Sequence, residues 1–160
     1  MRTPLPVEWH ERLGAARPFL LTALAALLAA GFVAAAVAHE PTRPLVWMVA
    51  YLVLVAGVAQ AVLGLGQAGL PGRLPPPRWR AAEWLLFNAG NLGVIAGTLR
   101  GSPALVAAGT VLFVAALAAF LLGVRGEGGG WLLHAFRVVL AVTCLGACVG
   151  LALSVSGAAA

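Results

Sequence analysis

The chain has 160 residues, of which 62% are apolar and 9% charged, with a mean hydropathy of +0.99 and a formal net charge of +5. A water-soluble domain of this size needs roughly a quarter of its residues charged to cover its surface, so an ordinary soluble globule is excluded. The charge comes from ten arginines against five glutamates, and the arginines stand between apolar runs rather than along one basic face. That pattern makes an anionic lipid surface the expected partner and speaks against nucleic acid.

Residues 1–17 combine Val7, Trp9 and Leu13 with Arg2, Arg12 and Arg17. They are expected to form a cytoplasmic or interfacial segment with Trp9 at headgroup level. The first apolar run, 18–38, opens on Pro18, which fits a first helical position because proline has no N–H to lose there. Ala36-Val37-Ala38, just before His39, has the small-x-small form of a signal-peptidase site, and cleavage would expose an N-terminal histidine able to ligate copper. The run is about 21 residues long, beyond the 7–15 of a signal core, so it reads as an uncleaved span.

The second run, 45–66, carries Val53, Gly57 and Gln60, and the pattern continues to Gly64 and Gln67 in steps of three and four residues, which puts all five on one helical face. The third, 81–99, places Glu83, Trp84, Phe87, Asn88, Asn91 and Thr98 on one broad face, with Ala89, Gly93 and Gly97 as a small-residue stripe on the other. The fourth run, 103–124, opens on Pro103. The fifth, 131–155, aligns His134, Arg137, Ala141, Cys144 and Cys148 within about a quarter of its circumference, and Gly146, Gly150 and Ser154 form a separate stripe. Residues 156–160 are left as an external tail.

Each run is 19–25 residues long, enough for a helix to cross a hydrocarbon core of about 30 Å. Glycine- and proline-rich breaks such as Gly69-Leu70-Pro71-Gly72, Pro75-Pro76-Pro77 and Gly128-Gly129-Gly130 separate them. The fold class predicted is all-α, a polytopic membrane protein built as a bundle of five transmembrane helices over 18–155. Arg2, Arg12, Arg17, Arg73, Arg78, Arg80 and Arg125 fall on one side and only Arg43 and Arg100 on the other. This asymmetry predicts a cytoplasmic N-terminus and an external C-terminus. The absence of lysine beside abundant alanine, glycine, arginine and proline is the composition of a GC-rich genome, and a bacterial inner membrane is the expected location.

Polar side chains inside lipid are costly and normally face protein, so they mark the candidate site. Gln60, Gln67, Glu83, Asn88, Asn91, His134 and Arg137 all lie toward the arginine-rich ends of their helices and are the expected ligand-binding residues, gathered in one pocket. The bland alternatives are interhelical amide hydrogen bonds for Gln60, Asn88 and Asn91, an ion pair or snorkelling for Arg137, and a solvated interfacial His134. Among metal ligands only His39 and His134 are candidates. They sit at opposite ends of their helices, so they cannot share one haem iron, which leaves single-histidine haem ligation through His134. Cys144 and Cys148 lack the C-x-x-C spacing of redox centres and read as packing residues.

No Walker A, H-E-x-x-H, zinc-ribbon or G-x-S-x-G arrangement occurs, so no catalytic residue is assigned. The function expected is an accessory subunit of a membrane complex or a small ligand-binding membrane protein. The alternative is a small transport or redox-linked protein that binds an anionic, quinone-like or haem-like ligand in the cytoplasmic half of the bundle. The pairs Gly93/Gly97 and Gly146/Gly150 permit close helix contact within the bundle or between copies in a homo-oligomer.

Overall fold

A computed structural model describes residues 6–70, 74–124 and 130–158, and among these there is helix and no strand. The first rod is α1 (Pro6–Ala36). A second, unbroken rod consists of α2 (Arg43–Tyr51), a π-helical stretch (Leu52–Ala59) and α3 (Gln60–Gly69). The remaining rods are α4 (Pro77–Arg100), α5 (Pro103–Gly123) and α6 (Trp131–Ala158). Successive rods run antiparallel: Phe19 of α1 lies against Gly64 of α3, and Gly97 of α4 against Val106 of α5.

Two features depart from the sequence expectation. Helix α1 starts at Pro6 and continues through Pro18, so the N-terminal segment and the first run form one helix. Pro18 then sits in the interior and has no N–H to donate to the Gly14 carbonyl, a local loss that the rest of the helix spans. The second departure concerns the third run. Four stretches, His10–Ala36, Arg43–Gly69, Pro103–Gly123 and Trp131–Ala152, are long and apolar enough to cross a membrane, and α4 is not among them. It has the length but carries Arg78, Arg80, Glu83, Asn88, Asn91 and Arg100.

The tightest contact joins α4 to α5. A Cβ on Gly93 would stand 2.8 Å from the Gly109 Cα, one on Gly97 2.6 Å from the Val106 nitrogen, and one on Gly90 2.7 Å from the Phe113 nitrogen. The helices therefore touch backbone to backbone. The turn that enforces this is short. Gly101 closes α4 with φ 61° in the left-handed region that glycine enters without steric cost. Ser102 then caps α5 by accepting from the Leu105 N–H, and Pro103 fills the first helical position.

Aromatic rings fill the centre of the bundle. Phe87 stacks on Phe113 with centroids 4.9 Å apart and meets Phe120 edge-on at 6.3 Å, while Phe120 in turn takes the edge of Phe19 at 5.6 Å. Leu63, Leu133, Phe136 and Leu140 complete this core. Helix α6 joins through Leu133, Phe136 and Leu140, with Cys144 and Ala147 half-buried against the same core, and only 11% of its apolar window is buried against 39% for α5. Polarity is distributed the reverse of a soluble protein. Gln60, Gln67, Glu83, Asn91 and Thr110 are buried, while Phe32, Leu54, Leu92, Val111 and Leu145 are exposed.

Candidate functional site

Apart from Thr110, which bonds the Val106 carbonyl of its own helix, the buried polar groups lie where α1, the rod of α2 and α3, and α4 meet, in three successive clusters. At the arginine-rich end, Gln67 Nε2 donates to Glu83 Oε2, and both residues are buried, at 2% and 1% exposure. The other carboxyl oxygen, Glu83 Oε1, has no hydrogen-bond partner and is oriented toward Gly123 at the end of α5. Trp79 and Arg80 stand one turn before Glu83: the Trp79 side chain acts on the carboxyl as a hydrogen-bond donor, and Arg80 acts on it through space. At the same end Arg12 Nη1 donates to the Ala68 carbonyl over 2.8 Å. A cation there complements the carbonyl-rich end of α3.

One turn or two deeper, Thr22 is a hub. Its hydroxyl bonds the Pro18 carbonyl at 2.9 Å and accepts from Trp84 Nε1 at 3.3 Å and from Gln60 Nε2. A hydroxyl offers one proton and two lone pairs, so these partners use it fully. Gln60 Oε1 is left without a partner. In the third cluster the Tyr51 hydroxyl donates to Asn91 Oδ1 over 2.8 Å, Trp47 packs beside the Tyr51 ring with centroids 5.0 Å apart, and Asn91 Nδ2 is unpartnered.

The seven sequence-derived candidates are thus divided. Gln60, Gln67, Glu83 and Asn91 are buried, Gln67 with Glu83 across α3 and α4, Gln60 against Thr22 of α1 and Asn91 against Tyr51 of α2. Asn88 is half-buried and donates back to the Trp84 carbonyl of its own helix over 2.8 Å. His134 and Arg137 are exposed on α6, whose apolar face supplies the contact instead. His134 Nδ1 lies 3.0 Å from the Gly130 carbonyl oxygen at the start of that helix. The expected convergence of three helices is therefore met by α3 and α4 and not by α6, where α1 takes its place through Thr22. His39 is exposed after the end of α1, and the described residues hold no group of three or more His, Cys, Asp or Glu that could bind a metal. Cys144 and Cys148 are free thiols, one half-buried and one exposed.

Thr22 and Tyr51 were the members that sequence reasoning missed. Thr22 is the lone hydroxyl in the first apolar run, a signal that was available. Tyr51 was hidden by geometry: it lies nine residues before Gln60, and at about 100° per residue that puts it on the opposite side of a regular α-helix. The intervening π-helical stretch takes up extra residues in each i→i+5 turn and rotates Tyr51 back toward the seam.

The chemistry offered is mainly that of acceptors in a dry seam. Two buried oxygens want a donor, and no guanidinium from α6 reaches them. No family model, curated protein or solved structure matches the chain.

Proposed function

We propose that the chain is an integral membrane protein, in a bacterial inner membrane with its N-terminus cytoplasmic, that holds a small cationic or donor-bearing ligand at the acid–amide site of Gln67 and Glu83. The observation that carries this reading is Glu83 itself, which is 1% exposed with one oxygen on Gln67 and the other unpartnered. Beyond Gln67 the carboxyl has the Trp79 side chain as a donor, yet Oε1 keeps no close partner of its own; a buried acid so sparsely paired is costly, and intramembrane acids of this kind belong to binding and transport sites. The inverted polarity supports the membrane part of the reading, because lipid leaves unpaired polar groups nowhere else to go. Helix α4 fits as a fifth crossing on the same ground. Glu83 and Asn91 turn inward, Arg78 and Arg100 are exposed at its two ends, and Leu85, Leu92 and Leu99, seven residues apart, form its exposed stripe.

The test is infrared difference spectroscopy on the detergent-purified full chain, exchanging choline chloride for methylammonium or sodium chloride. Occupancy shifts the carboxyl band in the wild type and leaves Glu83→Gln unchanged. Identical difference spectra for the two proteins sink the proposal. Resistance of the chain to alkaline carbonate extraction tests membrane insertion separately.

A transport reading is favoured by one further observation: each of the three clusters keeps one unpartnered polar atom, on Glu83, Gln60 and Asn91. Glu83 and Asn91 are separated by about 12 Å along α4 at 1.5 Å per residue, so the stations make a polar line inside the seam. Proton flux into dye-loaded proteoliposomes that falls to background in Glu83→Gln supports this reading, and absence of flux in the wild type removes it. An accessory-subunit role draws instead on the open face of α6, with co-purification of a stable partner as its test.

A further inference from the structure

Helices α1 and α4 run parallel at the arginine-rich end, and the small side chains between them leave space unfilled. The result is an open cleft of about 210 Å³ walled by Gly14 and Pro18 of α1 and by Pro77, Ala81 and Trp84 of α4, with Arg80 at its edge. Arg80 is half-buried, and its Nε is shielded from solvent without a hydrogen-bond partner. The indole N–H of Trp84 is already committed to Thr22, so its ring serves as wall and Arg80 is the polar side chain α4 presents. On the α1 side Pro18 leaves the Gly14 carbonyl without its helical donor. Arg17 and Arg78 stand exposed beside the cleft on the same two helices, and Glu11 is an exposed acid at that end.

We propose that this cleft binds an anionic phospholipid, with the headgroup phosphate on Arg80, a headgroup hydroxyl on the freed Gly14 carbonyl and the acyl chains leaving along the exposed leucines of α1. Charge complementarity selects the anion, since a guanidinium pairs two donors with phosphate oxygens and its neighbours Arg17 and Arg78 add field of the same sign. The apolar walls select a lipid over free phosphate, which would gain nothing from proline, alanine and an indole ring. Basic pockets between helices near the cytoplasmic surface are where such headgroups bind. The inference rests on the membrane part of the proposed function; Arg80 also acts through space on Glu83, so a Gly14 variant, which leaves both residues in place, separates the cleft from the Gln67–Glu83 site.

The test titrates phosphatidylglycerol and phosphatidylcholine into the full chain in dodecyl maltoside and counts bound lipids by native mass spectrometry. One phosphatidylglycerol is expected to bind about tenfold more tightly than phosphatidylcholine, with Arg80→Gln removing that preference and Arg78→Gln changing it less than about twofold. A Cβ on Gly14, in the cleft wall, meets nothing within 4 Å, so Gly14→Leu enters open space at its first atom and should occupy the cleft and abolish the preference while Arg80 stays in place. This second variant decides the matter if Arg80→Gln fails to fold. Equal affinity for the two lipids, an unaltered preference in Gly14→Leu, or displacement of phosphatidylglycerol by millimolar inorganic phosphate would each overturn the proposal. Carbonate extraction reports on membrane insertion, so failure there is distinguishable from failure of the lipid site.

Discussion

Gly93 and Gly97 of α4 and Gly146 and Gly150 of α6 have the same four-residue spacing, yet the structure uses them in opposite ways. The first pair is closed: a Cβ on either glycine would strike the backbone of α5 at 2.6–2.8 Å. The second is open, with nothing within 4 Å of either position. The difference lies in the partner and the connection. α5 supplies Gly109 opposite Gly93, and the turn through Gly101, Ser102 and Pro103 delivers it at once. α6 follows a seven-residue connection, 124–130, and docks by a different face, Leu133, Phe136 and Leu140. Small-residue spacing is therefore half of a contact, and the matching surface on a neighbour is the other half.

The largest expected effect breaks the closed pair. In Gly109→Leu the new side chain meets the Val94 nitrogen and the Gly90 carbonyl oxygen, which are backbone atoms unable to move aside. Overpacking of this kind costs about 3 kcal/mol, the top of the usual range. Denaturation in mixed micelles of rising sodium dodecyl sulfate fraction measures it, and a loss below about 1 kcal/mol means that α4 and α5 can separate without harm. Next comes Phe87→Ala, which removes a ring packed on both Phe113 and Phe120. Lipid accepts apolar groups as readily as the core does, so the loss is chiefly of packing contacts, about 2 kcal/mol in the same assay. A Val149→Ala change on the half-exposed face of α6 is its counterpart and should be neutral.

A smaller effect probes the polar seam that lies beside the closed pair. Thr22→Val keeps the shape of the side chain but deprives Gln60 and Trp84 of their common acceptor. Two lost interhelical hydrogen bonds, at the roughly 0.6 kcal/mol each typical of membrane helices, give roughly 1 kcal/mol. Red-shifted or broadened Trp84 emission should accompany it, read in a variant with the other tryptophans changed to phenylalanine. Unaltered stability and emission together would show that the hub is incidental.

These residues also mark how far the sequence could be read. The face of Gln60, Gly64 and Gln67 is legible because α3 is a regular helix and three-and-four spacing converts directly into one buried side. The stripe on α4 was read one residue out: Ala89 is exposed, and Gly90 takes the buried place beside Gly93 and Gly97. Either residue satisfies a small-residue pattern, and only the position of α5 distinguishes them. His134 and Arg137 were read as inward because polar groups in a span normally avoid lipid, but at the first turns of α6 they are near the helix end, where long polar side chains can reach the interface instead. Tyr51 escaped because an α-helical wheel cannot anticipate the π-helical stretch that follows it.

The smallest expected effect concerns the open pair and is the sharpest test of the contrast. Gly150→Leu places a large side chain where the chain itself has nothing within 4 Å, so stability of the isolated protein should change by less than about 0.5 kcal/mol, and the better helix propensity of leucine offsets part of any loss. The same substitution on a surface that a second copy occupies would act very differently, because close approach at a small-residue stripe is destroyed by a leucine. Sedimentation equilibrium in density-matched detergent separates the cases. Equal masses for wild type and Gly150→Leu leave the α6 stripe facing lipid, whereas an oligomer in the wild type that dissociates in the variant would make the two glycine pairs alike after all, one closed within the chain and the other between chains.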